Sequence, residues 1–318
     1  MVRQVLFRAM LTAASILAVS GATVAQAPAP VTIRFVAAPS DDLLPFWYAQ
    51  STGMFAKAGL NVEVQSASSG AIVTQAVVGG AADIGRSSPQ AIIAAHIRGI
   101  PVVIVAPGAI HRHDVQGNAA IAIAPNSPIK NILELQGKTV ACTAIGDVGY
   151  LGLRALIDAA GGDSSTVKWV EIPIPSVAAA LEQGRIDAGL TTEPFMTRDL
   201  AGGKIRLLVD MLNGYKGAII QGVFFAMKPY AQANPDAIAR FARVLAQAGA
   251  YTNTHPNETL DLLVKNTGIE PDVAAKMRRT TLALTWDPAQ VQPLIDVAAK
   301  YKAIPQTFDA RDLYWTSK

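Results

Sequence analysis

Along the chain, short runs of aliphatic and β-branched residues alternate with longer stretches in which small apolar residues recur at helical spacing. The short runs predict strands over 31–38, 62–65, 101–106, 119–124, 139–144, 168–172, 206–211 and 223–227. Between them the spacing predicts helices over 46–58, 72–78, 90–98, 129–135, 150–160 and 177–183. The run 101–106 is apolar throughout, as a parallel strand buried on both faces must be. Strands and helices that alternate in this way predict an α/β architecture. From Tyr230 the pattern becomes mainly helical. Asn234-Pro235-Asp236 opens a helix whose Ile238, Phe241, Val244, Leu245 and Ala248 share a face, and others are expected around 257–265, 271–279 and 288–303.

One phrase occurs twice. Gly80, Asp83, Gly85, Ser87 and Ser88 recur as Gly184, Asp187, Gly189, Thr191 and Thr192, 104 residues later. The flanks follow in the same order, with 31–38 matching 139–144, 46–58 matching 150–160 and 62–65 matching 168–172. A duplication carries its flanks along and a chance nonapeptide does not. Two similar halves, each β-α-β-α-β-β, are therefore expected. By the same offset 119–124 and 223–227 are equivalent connections that cross between the halves in opposite senses and form a hinge.

Within the phrase, Gly80 and Gly184 end helices and a short buried strand begins at Ile84 or Ala188. The paired hydroxyls then stand where a parallel strand leaves the sheet. Ligands bind at that edge in open α/β sheets, because strand-to-helix loops and helix N-termini gather there. Hydroxyls at this place also cap the next helix, and both readings stand. Ser68 or Ser69 is an expected N-cap in the turn 66–70. Asp147, in the glycine-bearing turn from Ile145 to Tyr150, is either an N-cap or a carboxylate turned into the cleft, where it would disfavour a bare anion. Glu193 stands where the first half has Pro89, and is either a ligand contact or a helix-start or interlobe group. His111, His113 and Asp114 lie in a polar stretch between the halves, and no third or fourth spaced ligand supports a metal there. That stretch reads as a surface loop or as a hydrogen-bond donor at the cleft edge.

The first residues change where this protein is expected to work. Arg3 and Arg8 precede an apolar run over 9–19 and a small-residue run over 21–27, the form of a secretory signal, with cleavage expected after Ala25. No segment approaches the ~18 uninterrupted apolar residues of a membrane span. Cys142 is the only cysteine, so no disulfide within the chain and no lipid anchor after the signal is expected. It lies in an apolar run and reads as a buried strand residue. The net charge of +3 includes Arg3 and Arg8, and no basic cluster follows a phosphate backbone, which argues against nucleic acid. An apolar content of 51% supplies ample core.

Several stretches in order carry a resemblance: 49–55 with 58–62, Gly80 to Ile84, Ser127 to Lys130, Leu135 to Val140, and Gly184 to Ala188 with Glu193-Pro194. Together they resemble the periplasmic solute-binding proteins for nitrate, sulfonates, taurine and thiamine pyrimidine precursors. The resemblance implies a type II periplasmic binding protein fold, two similar α/β lobes joined by two crossover strands. It implies a division into signal 1–25, the first part of lobe I over 31–115, lobe II with the hinge strands over 116–228, and return helices over 229–318 packing on lobe I. It further implies a monomeric periplasmic receptor, without cofactor, that passes a small molecule to an inner-membrane ABC permease and its ATPase.

The loops implied to touch ligand hold Trp47, Ser69, Ser87, Ser88, Gly146, Asp147, Tyr150, Thr191, Thr192 and Glu193. Hydroxyls and helix N-termini would serve a sulfonate or nitrate. Asp41, Asp42, Asp147 and Glu193 nevertheless make the expected cleft acidic for an anion, and Trp47 and Tyr150 could sandwich a flat ring. An aromatic or heterocyclic ligand is therefore the first expectation and a sulfonate the second. A sensor module would need the same closing lobes. An enzyme on this fold would need an activated nucleophile, metal set or cofactor lysine, and no spaced arrangement of that kind stands out.

Overall fold

The computed structural model describes residues 30–115 and 117–316, so the expected export signal lies outside the described residues. The first part of the chain forms β1 (Val31–Ala37), α1 (Leu44–Ser51), α2 (Met54–Lys57), β2 (Leu60–Ser66), α3 (Gly70–Val78), β3 (Ile84–Ser87), α4 (Pro89–Ile97), β4 (Val102–Pro107) and β5 (Ala109–His111). A second run follows with β6 (Ala119–Ile123), β7 (Thr139–Cys142), α5 (Val148–Ala159), β8 (Lys168–Glu171), α6 (Val177–Glu182), β9 (Ala188–Thr192), α7 (Phe195–Ala201), β10 (Arg206–Val209) and β11 (Ile219–Ile220). The chain then adds β12 (Val223–Met227), α8 (Lys228–Ala233), α9 (Pro235–Thr254), α10 (Leu260–Thr267), α11 (Pro271–Lys276), β13 (Thr281–Leu282) and α12 (Gln292–Lys300).

These strands make two five-stranded sheets of matching design, ordered β2-β1-β3-β12-β4 and β10-β6-β9-β7-β8. In the first, β1 lies parallel between β2 and β3, and β12 runs antiparallel to β3 and β4. In the second, β7 lies parallel between β8 and β9, and β6 runs antiparallel to β9 and β10. The strands β12 and β6 thus hold the same place in the two sheets, each reached by a chain that has come over from the other. A small antiparallel sheet, β11-β5-β13, ties the two crossings together.

The repeated phrase explains why the halves match. Asp83 accepts the Arg34 N–H at 2.8 Å, and Asp187 accepts the Thr139 N–H at 2.8 Å, so each carboxylate ties its strand to the first strand of its own sheet. Gly80 and Gly184 end α3 and α6 with positive φ, where a side chain would be strained. Gly85 and Gly189 let those helices lie close. A Cβ on Gly85 would stand 2.8 Å from Val73, Val77 and Phe225, and one on Gly189 would stand 2.7 Å from Val177.

Elsewhere the structure departs from the expected elements for local reasons. The helix expected over 46–58 breaks after Ser51, where the Thr52 hydroxyl returns to the Tyr48 carbonyl at 2.7 Å. Only a 3-10 turn, Ile132–Leu135, forms within 129–135. Asp287 caps another such turn, Pro288–Gln290, so the last long helix begins at Gln292.

The core of the first lobe is aromatic, with Phe35 stacked on Phe46 at 4.1 Å and Phe55 on Phe241 at 5.4 Å. Phe241 comes from α9, which packs across α1. The second lobe fills one face with small and aliphatic residues, among them Ala122, Ala141, Ala180, Val177 and Leu181. The return helices serve both lobes: α11 meets α7, and α12 sits between α4 and α5. There Leu294, Ile295 and Ala298 of α12 join a core shared with Leu153 and Ile157 of α5, and Tyr301 donates to Asp158 at 2.6 Å. No helix among the described residues is long and apolar enough to cross a membrane.

Candidate functional site

The carboxyl ends of the parallel strands in both sheets open on one space. The segment 278–280 bridges it: the Arg278 N–H donates to Glu193 Oε1 at 3.0 Å beyond β9, and the Thr280 N–H donates to Asp41 Oδ2 at 2.6 Å beyond β1. Asn118 and Gln221, just ahead of the two crossing strands, are joined at 3.2 Å. Asn118 also donates to the Thr280 hydroxyl at 3.1 Å. On the lobe II side of this cleft lies a cavity of about 190 Å³. Thr143, Asp147, Thr192, Asn118 and Gln221 supply its polar lining, and Val148, Ile174, Leu190, Met211 and Leu212 its apolar lining.

In lobe I two of the three predicted hydroxyls are helix caps. Ser69 receives the Ile72 N–H at 3.4 Å at the start of α3, and Ser88 receives the Ala91 N–H at 3.3 Å at the start of α4. Ser87 is 1% exposed and donates to the Gly70 carbonyl at 3.3 Å, which locks the strand end to the α3 start. Trp47 is 9% exposed and belongs to the apolar cluster around Phe35 and Phe46. It contributes volume to the core.

In lobe II, Asp147 caps α5, receiving the Tyr150 N–H at 2.7 Å and the Ala144 N–H at 3.1 Å, with the Thr143 hydroxyl on the same carboxylate. Gly146 lies against Ala303. Thr192 lines the cavity, and its neighbour Thr191 is 2% exposed inside the sheet. Glu193 has both carboxylate oxygens engaged by Thr197, and one of them also by the Arg278 N–H of the segment that bridges the cleft. Tyr150 occupies the other face of α5, edge-on to Trp169 at 4.6 Å, its hydroxyl accepting from Arg154 at 3.0 Å. Trp47 and Tyr150 are therefore not brought together as two sides of a slot for a flat ring.

Two of the four carboxylates expected to make the cleft acidic are paired with arginines. Asp41 pairs with Arg279 at 2.8 Å, and Asp42 pairs with Arg86 while also accepting from Ser40 at 2.6 Å. Arg86 comes from the repeated phrase itself, and its Nε is buried without a hydrogen-bond partner among the described residues. His111, expected in a surface loop or at the cleft edge, is 2% exposed and bonded to Asn213 at 3.1 Å, because it ends β5 inside the small sheet. Cys142 is 1% exposed, and burial, reinforced by the Asp147 and Glu171 charges, pushes its thiol up to about 12. It stays protonated at neutral pH and is no nucleophile.

Sequence reasoning missed Asn118, Thr143, Met211, Leu212 and Gln221 as cavity residues. Asn118 and Gln221 did carry a signal, since each stands just ahead of one of the two strands that the repeat marks as crossing between the halves. Met211 and Leu212 carried none, because apolar residues after a strand read as core.

Three comparisons bear on this geometry. Residues 40–259 match the family model described as NMT1/THI5 like. An aliphatic sulfonates-binding protein of Escherichia coli is 27% identical over 202 residues, 61% of this chain and 62% of that relative's own length. Among solved structures, the periplasmic aliphatic sulphonate binding protein SsuA of Escherichia coli superposes with a TM-score of 0.76 at 22% identity, covering 91% of this chain and 93% of that one. The alkanesulfonate-binding protein SsuA of Xanthomonas axonopodis pv. citri, bound to MOPS, superposes with a TM-score of 0.72 at 17% identity, covering 91% and 99%. The fold is that of the periplasmic binding proteins.

Proposed function

From the premise that the chain belongs to the NMT1/THI5-like family, we propose that it is the exported solute-binding component of an ABC importer. It closes two lobes on a small organic anion of the sulfonate class and presents it to an inner-membrane permease with its ATPase. One chain supplies both lobes, so a monomer suffices. The role is capture and release rather than turnover.

The observation that carries the ligand class is the state of the cleft carboxylates. Asp41 and Asp42 are each neutralised by an arginine, and the Glu193 oxygens are taken up by Thr197 and the Arg278 N–H. What faces an incoming anion in lobe I is then the start of α3 and of α4, both capped by neutral serines. Helix N-termini without a carboxylate cap favour negative charge. The apolar wall of the lobe II cavity suits the hydrocarbon part of such a molecule. An aromatic or heterocyclic ligand loses its main support, because Trp47 and Tyr150 are committed elsewhere.

A thermal-shift screen of the chain from Gln26 onward tests this against alkanesulfonates, taurine, nitrate, aminopyrimidines and aromatic carboxylates. A ligand at 100 times its Kd adds about 2.7 kcal/mol of apparent stability. Alkanesulfonates are expected to raise Tm. A shift with aminopyrimidines alone would overturn the sulfonate assignment and leave the importer role standing.

A further inference from the structure

Two cleft carboxylates, Asp147 and Glu193, form no ion pair with a lysine or arginine among the described residues, and of the two only Asp147 lines the lobe II cavity. Asp147 is the only charged residue among those lining the lobe II cavity. Its oxygens meet the Thr143 hydroxyl and the Ala144 and Tyr150 N–H groups, and no lysine or arginine among the described residues forms an ion pair with it. Its field reaches its neighbours. Alongside burial, it helps raise the pKa of the Cys142 thiol and of the Tyr215 phenol. The positive end of α5 is occupied by the protein's own carboxylate.

We propose that Asp147 is a specificity-determining residue that makes the cleft read charge along the ligand. The cleft takes one anionic group at the lobe I end and rejects a second one at the lobe II end. The distal part of the ligand must then be apolar or carry an amine, and molecules with an anion at both ends are excluded. This rests on the sulfonate reading above and names the substrate class within it. A like charge held within about 8 Å of Asp147, at the effective dielectric of a partly solvated site, weakens binding on the order of tenfold.

The test compares the Kd of 3-sulfopropanoate with that of propane-1-sulfonate by titration calorimetry, each probe having three carbons and differing in the second anionic group. In the unaltered chain the ratio is expected to be about tenfold or more in favour of propane-1-sulfonate. Asp147→Asn and Asp147→Ser each remove the charge and keep a side chain that caps a helix, so α5 retains its start. Both are expected to bring the ratio close to one. Glu171→Gln, which removes a carboxylate held by the Ile145 N–H one strand away, is expected to leave it unchanged. An unchanged ratio in both Asp147 variants would overturn the assignment, as would an equal collapse in Glu171→Gln. A wild-type chain that binds neither probe would instead sink the sulfonate reading itself, and the charge rule with it.

Discussion

In lobe I the helices α3 and α4 start on Ser69 and Ser88, whereas in lobe II the helix α5, the counterpart of α1 in the repeat, starts on Asp147. The two sheets have the same strand order and the same tie from an aspartate to the first strand, so the scaffold treats the lobes alike. Beside the cleft their chemistry differs where the strands end. A neutral hydroxyl leaves the helix dipole available to a ligand, and a carboxylate consumes it. Under the reading proposed above, the duplicated framework becomes a cleft with a direction, one end for negative charge and the other against it.

The deepest way to break this comparison is through the glycines that both lobes share. Gly85→Val and Gly189→Val are each expected to cost about 3 kcal/mol in urea unfolding, because the added side chain has no room between strand and helix. Gly85→Val is the worse of the two, since three side chains crowd it at 2.8 Å. Tolerance of either change would mean that the repeat does not do the same work in both halves.

A step down, Asp83→Ala and Asp187→Ala each strand a partly buried backbone N–H and should cost about 2 kcal/mol. Asp83 also pairs with Arg34, whose side chain is 42% exposed, so the two variants should differ by less than about 0.5 kcal/mol. A much larger loss at Asp83 would show that this exposed pair matters more than its setting implies.

Smaller again is the effect of the hydroxyls, and there the lobes should part. Ser88→Ala removes a cap and is expected to cost about 1 kcal/mol. Thr192→Val removes no cap, since α7 begins on Pro194 without a side-chain bond, and should change stability by less than about 0.5 kcal/mol while weakening the ligand-induced rise in Tm. Equal losses of stability would erase the distinction.

The least effect concerns the contact between α12 and α5. Burial works against ionisation of Asp158, but the Tyr301 hydroxyl and Ser164 outweigh it and hold the carboxyl below its ordinary value. A folded pKa below the unfolded one gives stability that is present above about pH 4 and is lost as pH falls through the folded value. Melting of the wild type and Asp158→Asn should therefore differ at pH 6 and converge toward pH 3. A constant difference across that range would show that the ionised form gains nothing from this contact.

The chain by itself determined the two-lobed framework and several of the helix caps. Period, caps and turn glycines act within a few residues of one another, so they are readable in order, and Asp147 and Ser69 are where that local chemistry puts them. The repeat extended this reach, because a shared offset identified β6 and β12 as counterparts before any contact was known. Only the tertiary structure decided which groups are free to meet a ligand. Asp41 is neutralised by Arg279 from 238 residues away, and Trp47 and Tyr150 are claimed by the first-lobe core and by Trp169. An ion pair or a packed ring depends on distance in space, which spacing along the chain leaves open. The charge of the cleft is what remains after those distant partners have been satisfied.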